Sequence, residues 1–317
     1  MRGIKVCEAL SSHYNLHMLS RSDDARNSII ADYNIGKSPS RRSRRPHEQN
    51  ILAAHHQDVL VYELVGALSL ASVDYVSRAL AAKPHPQFVI FDLRRVAAIT
   101  PAGARLFAEE FRELAAFHVT VILSGIKRAS PEWKMIAEFT EGLGNIRNYY
   151  LLDAAIEWAE DQVVYRHGGS IDFLEATELS EQSLLAGLTE EELTDLASLS
   201  TIRTYQTGEK IIASGDAADA LFFLRSGVVH VTLPDGIRVA TLTGGMPFGE
   251  MALLEPRRSA DVLADMSATA YEIPLRDFER FRKQHPRAGE RIMRNLAQLL
   301  ADRLILANAK LNLLTSS

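Results

Sequence analysis

Phe248-Gly249-Glu250-Met251-Ala252-Leu253-Leu254-Glu255-Pro256-Arg257-Arg258-Ser259-Ala260 sits between two β-like runs and decides how the C-terminal half folds. A glycine, a carboxylate and then an arginine with a hydroxyl, separated by a short apolar helix, suit a phosphorylated sugar. Gly249 lets backbone amides approach an anion at a helix N-terminus, where the dipole favours negative charge. Arg258 supplies a charge-assisted fork to phosphate oxygens, Ser259 adds a hydroxyl, and Glu250 can accept from a ribose hydroxyl. A cyclic phosphate would then be held from several sides.

Outward from this cassette, short β runs cover Ile202 to Tyr205, Lys210 to Ala213, Leu221 to Leu224, Val228 to Leu233, Ile237 to Leu242 and Ala268 to Ile273. Turn signals at Gly215-Asp216, Ser226-Gly227 and Asp235-Gly236 separate them, which predicts an antiparallel barrel or jelly roll. Thr189-Glu190-Glu191-Glu192 has capping-box spacing and opens a helix to about Leu199. Helical patterning returns from Asp277 and breaks near Pro286. Ile292, Leu296, Leu299, Arg303 and Leu306 mark one face of the terminal helix, a lid over a base or a seam to a second subunit.

Gly208, Gly215-Asp216, Gly227 and the Phe248 to Ala260 cassette together resemble the cyclic nucleotide-binding domain, over roughly Phe173 to Leu314. The resemblance implies a β jelly roll with C-terminal helices and cyclic AMP or cyclic GMP as an allosteric ligand, with no other cofactor. It puts Gly249 and Glu250 at the ribose and phosphate, Arg258 at the phosphate and Ser259 beside it. The interval from Glu250 to Arg258 is one residue shorter than the usual pattern, which makes Arg257 a substitute for Arg258. Transcription factors with this domain add a helix-turn-helix, but only about thirty residues follow Pro286, so DNA is not an expected partner.

Further upstream, strand-like Val59 to Val65, Phe88 to Leu93 and Val119 to Leu123 alternate with helix-like Ala71 to Ala82 and Ala102 to Phe117. Trp133 to Phe139 and Ala154 to Val164 continue the alternation, which predicts helices packed on a sheet. Thr100 suits an N-cap and Pro101 the first helical position. Val59 to about Val164 resembles a STAS domain, the fold of anti-sigma-factor antagonists and sulfate-transporter tails, on the strand Phe88 to Leu93 and Ile99-Thr100-Pro101-Ala102-Gly103. In the phosphorylatable members a serine or threonine precedes that glycine. Here Ala102 has no hydroxyl, so the resemblance implies a protein-docking role in place of a phospho-switch.

The first fifty residues differ from the rest. Arg2 to Ser11, then Leu16-His17-Met18-Leu19 and the later arginine-rich stretch, resemble the closing segment of bacterial glutaminases, serine-dependent amidases with a β-lactamase-like fold. Some of those continue into STAS and cyclic nucleotide-binding domains. The family's Ser-x-x-Lys nucleophile and glutamine-binding residues would lie upstream of Met1, so no catalytic residue is expected in this chain. Ser124-Gly125-Ile126-Lys127 spells Ser-x-x-Lys but falls at a strand end, where a turn is expected. Lys37 to Arg45, with a lysine and four arginines, reads as a solvated basic linker.

The 317 residues are enough for two domains and a remainder at roughly 150 residues each. With 40 acidic and 35 basic side chains and 47% hydrophobic residues, the chain is a folded one without a global basic coat. The single Cys7 makes no internal disulfide, no secretory signal opens the chain, and no apolar run approaches bilayer length. A cytoplasmic setting is expected. His13 and His17 have metal-compatible i, i+4 spacing but no third ligand, and His55-His56 adds none; no metal site is expected.

The expected division is therefore 1–54, a glutaminase-tail-like segment and basic linker; 55–168, an α/β STAS-like sheet-and-helix domain; and 169–317, the cyclic nucleotide-binding domain. The expected function is cyclic-nucleotide sensing coupled to STAS docking of a protein partner, controlling a glutaminase, with a homodimer through the terminal helix as a further option. Two rivals are a glutaminase hydrolysing glutamine to glutamate and ammonia, of which this is a fragment, and a nucleotide-free structural adaptor.

Overall fold

A computed structural model describes residues 27–84, 86–169, 173 and 175–315 of the chain. Cys7, His13, His17 and the glutaminase-like stretch Arg2 to Leu19 lie outside the described residues. In chain order the first elements are β1 (Ile29–Asn34), α1 (Pro46–Ala54), β2 (Val59–Leu68), α2 (Leu70–Ala81), β3 (Phe88–Ile99), α3 (Pro101–Ala116), β4 (Thr120–Ser124), α4 (Pro131–Thr140), β5 (Ile146–Tyr149) and α5 (Leu152–Arg166). There follow α6 (Glu190–Ser198), β6 (Thr201–Tyr205), β7 (Lys210–Ile212), β8 (Ala220–Ser226), β9 (Val228–Thr232), β10 (Arg238–Thr243) and β11 (Pro247–Phe248). Last come β12 (Asp261–Ala264), β13 (Ala268–Pro274), α7 (Leu275–Gln284) and α8 (Pro286–Thr315). Two compact units result: one holds the residues up to Asn34 with Gln57–Ala155, the other Ile35–His56 with Ile156 onward. The division falls inside α5.

In the first unit five strands form one sheet in the order β1-β2-β3-β4-β5. β1 is antiparallel to β2, and the remaining pairs are parallel. Parallel strands covered on both faces read as unbroken apolar runs, and Phe88, Val89, Ile90 and Phe91 are fully buried in succession. Phe91 packs edge-on against Phe107 of α3 at 4.9 Å, and Phe107 meets Phe111 at 4.4 Å. Such pairs add about 0.5–1.5 kcal/mol beyond their buried area.

Thr100 caps α3 as its sequence promised. Its Oγ1 accepts from the Gly103 amide at 3.1 Å while its hydroxyl donates to the Leu68 carbonyl at 3.3 Å. Gly103 is obligatory for a different reason: a Cβ there would lie 2.2 Å from the Leu68 carbonyl oxygen. Ala102 is exposed beside it. Ser124 ends β4 fully buried, donating to Asp92 Oδ1 at 3.0 Å, and Lys127 lies 5.5 Å from the Tyr150 ring centre. That serine is a sheet-end hydrogen-bond donor.

The second unit contains a jelly roll of two antiparallel four-stranded sheets, β10-β9-β12-β7 and β11-β8-β13-β6. Strand alternation divides its apolar residues between two cores. Ala220, Phe222 and Leu224 of β8 join Val229, Leu242, Phe248 and Ala270 between the sheets. Leu221 and Phe223 of the same strand face the other way, onto Phe278 and Phe281 of α7 and Ile292 and Leu296 of α8. β1, β5, β11 and β12 are additions to the strands expected from sequence.

The basic stretch is not a solvated linker. Arg42 and Arg44 are buried. Arg42 Nη1 donates to both carboxylate oxygens of Asp161 at 2.7 and 2.6 Å, and Arg44 reaches Asp161 at 2.5 Å and Glu160 at 2.9 Å. The amide and hydroxyl of Ser40 both bond Glu160, at 2.8 and 2.6 Å. Glu157, Glu160 and Asp161 share one face of α5 at i, i+3, i+4 spacing, and this acidic row draws the cations out of water. The strap also bonds β10 along the backbone, Ser43 amide to Thr241 carbonyl at 2.9 Å and Thr241 amide to Arg41 carbonyl at 3.2 Å. It thereby covers a sheet edge that would otherwise be open to pairing.

Removing one partner from a buried ion pair leaves an uncompensated charge, so Arg42→Ala is expected to lower the unfolding free energy by about 3–5 kcal/mol in urea titrations. Glu157 should behave in the opposite sense. Burial holds its carboxyl above the usual range; Arg42, Arg238 and Arg44 pull it down and Asp161 pushes it up without reversing that result. The folded protein therefore keeps this proton to higher pH than the unfolded chain does. Its ionisation costs stability as pH rises from the unfolded value through the raised folded one. The stability of Glu157→Gln relative to wild type should rise as the pH is raised above about 4, the unfolded carboxyl's range. A flat or falling difference would refute this account.

Candidate functional site

β11 delivers the chain to Gly249, which adopts φ +68° and caps a 3₁₀ turn over Glu250–Leu253. Only a residue at ease with positive φ suits this point, and a side chain would also collide. A Cβ on Gly249 would lie 2.8 Å from Arg258 Nη1, 3.1 Å from Ile212 Cδ1 and 3.2 Å from Phe222 Cδ2. The chain then returns toward β12, pairing with the Gly215 loop. Gly215 and Ala218 amides donate to the Arg258 and Pro256 carbonyls, and the Arg258 amide to the Asp216 carbonyl.

This pairing fixes the two arginines on opposite sides. Arg258 is directed inward with its side chain 6% exposed. Its Nη1 donates to the Gly249 carbonyl at 3.2 Å and its Nη2 to the Ala220 carbonyl at 2.9 Å. The guanidinium lies 5.7 Å from the Phe222 ring centre, and that ring stacks on Phe248 at 4.9 Å. Arg257 is exposed and donates to the Gly215 carbonyl at 2.8 Å. Ser259 is exposed.

Arg258 stands in the wall of a cavity of about 480 Å³, within the size range of small-ligand sites. Phe222 and Ile212 give it an apolar floor, and Arg203, Tyr205 and Glu272 line it from β6 and β13. Arg203 and Glu272 pair at 3.0 Å. Among the described residues the one carboxylate within ion-pair distance of Arg258 is Asp219, at 3.3 Å, and its side chain is 85% exposed. A buried cation with so distant and hydrated a partner is poised for an anion.

Glu250 is placed differently from the sequence expectation. Its side chain is buried and ion-paired with Arg303 of α8, so Glu250 and Arg258 serve separate partners. Gly249 and Arg258 are thus brought together, with Arg258 in the cavity wall. Glu250 is one step removed, held by the terminal helix, while Arg257 and Ser259 stay at the surface. The walls Arg203, Tyr205, Asp219 and Glu272 were not foreseen. Arg203 and Tyr205 alternate on a strand that the sequence does reveal, but nothing in that strand tells which end of the barrel stays open.

Residues 202–285 match the cyclic nucleotide-binding domain family, and residues 50–138 match the STAS domain family. The chain carries both domains. It is similar over all 317 residues to Glutaminase 1 of Bradyrhizobium diazoefficiens, at 72% identity, and to Glutaminase 2 of the same organism, at 50%. The chain spans about half the length of these curated relatives, 52% and 51% respectively. A 90-residue stretch, 27% of this chain, is 36% identical to the cAMP-dependent protein kinase type II regulatory subunit of Drosophila melanogaster, covering 24% of that protein. No helix among the described residues is long and apolar enough to cross a membrane.

Gly249→Ala forces a strained backbone and a contact with the Arg258 guanidinium at once. Urea unfolding should show a loss of about 1–3 kcal/mol; an unchanged midpoint would mean that the turn tolerates a Cβ.

Proposed function

We propose that this chain is a regulatory module that binds cyclic AMP or cyclic GMP in the jelly roll, docks a protein through its STAS domain, and controls a glutaminase in the cytoplasm. The observation that carries the reading is Arg258: a buried guanidinium, backed by two carbonyls, at the wall of a nucleotide-sized cavity and beside a positive-φ glycine. The cyclic phosphate meets Arg258 and the backbone at Gly249. The ribose hydroxyl meets Glu250, and Arg303 on α8 reports its arrival. Ser259 borders the phosphate from the rim. The full-length similarity to two glutaminases supports glutamine hydrolysis as the controlled output, and the similarity to a cAMP-dependent kinase regulatory subunit supports the ligand class. Leu304 and Ile305, 61% and 64% exposed on α8, support pairing of two copies along that helix.

Calorimetry with cyclic AMP and cyclic GMP on the 317-residue chain tests the sensor. A charge-assisted contact is worth about 1.5–3 kcal/mol, so Arg258→Gln should weaken binding by roughly one to two orders of magnitude. Arg257→Gln should leave affinity within about twofold, because its guanidinium is spent on a surface carbonyl. The reverse ranking would move the phosphate site to Arg257. Absence of heat with either nucleotide at millimolar concentration would sink the sensor reading.

A further inference from the structure

At the carboxyl end of β4 the sheet of the first unit has a notch. β4 stops at Ser124, opposite Asp92, while β3 runs on beside β2 to Ile99. A cavity of about 240 Å³ occupies the step, lined by Arg94 and Val96 of β3 and by Ile126, Lys127 and Tyr150 from the chain that leaves β4 and β5. Lys127 and its neighbour Arg128 are exposed, and among the described residues neither has a carboxylate within ion-pair distance. Each lies over an aromatic ring instead, Lys127 5.5 Å from the centre of Tyr150 and Arg128 5.9 Å from that of Trp133. A ring takes up one side of a cation and leaves its other N–H groups able to donate. Arg94 is half exposed and holds the buried Asp92 through Nε and Nη2, both at 2.8 Å. Asp92 thus offsets Arg94, Glu132 alone stands against Lys127 and Arg128, and the notch carries a net positive charge. Tyr150 and Leu151 add apolar surface there, 59% and 57% exposed.

We infer that this notch is a docking surface of the STAS domain for an acidic protein segment with an apolar anchor. The segment's carboxylates meet Lys127 and Arg128, and its anchor covers Tyr150 and Leu151. This surface presupposes that the STAS domain docks a protein at all; it adds the place and the chemistry of the partner. Tyrosine, tryptophan and arginine carry much of the binding energy at protein interfaces, and Tyr150, Trp133, Arg94 and Arg128 stand together around the notch. Positive charge on one face selects negative charge on the other and repels basic surfaces. A small phosphate would answer the cations and leave Tyr150 and Leu151 in water. A neutral apolar segment would cover those two and leave the cations without a counter-charge.

The probe is the fluorescein-labelled peptide Glu-Asp-Glu-Leu-Phe-Glu-Asp-Glu, followed by fluorescence anisotropy as the 317-residue chain is added at low salt, where charges are least screened. It should bind saturably with a Kd below roughly 1 mM. The neutral counterpart Gln-Asn-Gln-Leu-Phe-Gln-Asn-Gln should bind at least about tenfold more weakly, and a version with Ser-Ser in place of Leu-Phe at least about fivefold more weakly. Lys127→Glu combined with Arg128→Glu should weaken the acidic peptide at least about tenfold, whereas Arg287→Glu, at an exposed cation of the other unit, should leave it within about twofold. Circular dichroism confirms that the variants are folded; should the double variant fail that check, Lys127→Gln takes its place, with a loss of about threefold expected. Saturable binding that survives the charge reversal would overturn this surface and leave docking to another face. Equal affinity for the neutral peptide would overturn the acidic partner, and equal affinity for the Ser-Ser version would overturn the apolar anchor. No saturable binding of any of the three peptides would overturn the surface and count against docking itself.

Discussion

A guanidinium taken out of water has to be met by carboxylates, carbonyls or a ligand, and the second unit is arranged around four of them. Desolvating such a group costs several kcal/mol, and poor geometry does not recover it. Arg42 and Arg44 are ion-paired with Asp161 and Glu160, which makes the strap a fixed part of the unit. Arg258 is met by backbone carbonyls that share its charge without cancelling it. Arg303 is met on one side only, by Glu250.

The first unit answers a different constraint, the close approach of α3 to the end of β2. Gly103 permits it and Thr100 ties the same carbonyl, so the strand-loop-helix junction is determined by two residues with separate duties. A modifiable hydroxyl is not needed for either duty. The exposed Ala102 therefore takes no part in the junction and leaves the geometry of the helix start intact.

Much of both domains could be read from periodicity because their long strands are apolar and their turns carry glycine. The missed strands are short or half polar: β1 reads Ile-Ile-Ala-Asp-Tyr-Asn, β5 Ile-Arg-Asn-Tyr, β12 Asp-Val-Leu-Ala, and β11 is two residues long. Each is a strand because a neighbour offers it hydrogen bonds, which no local pattern records. The basic stretch was misjudged for the same reason. Its charge is visible, but its partners lie 116 to 120 residues away on α5, and only the fold brings that acidic face to it. In the cassette, Gly249 and Arg258 are legible as a motif. The partner of Glu250 is not, because Arg303 belongs to a helix whose docking depends on the finished barrel.

Under the proposed function the two halves of the cassette do unequal work. Arg258 is already oriented by two carbonyls, so its contact with a phosphate supplies affinity and asks for little rearrangement. A ligand shifts a conformational equilibrium only through contacts that differ between the two states. Glu250 is the residue whose partner differs. A ribose hydroxyl and Arg303 both give the Glu250 carboxylate a charge-assisted bond of about 1.5–3 kcal/mol, but only Arg303 adds the attraction of a second full charge. The sugar alone does not displace the helix. The phosphate must bring the ribose to Glu250 with energy to spare, and the displacement of Arg303 then draws on that surplus. Affinity resides at Arg258 and switching at Glu250, so a nucleoside without its phosphate would leave α8 where it is.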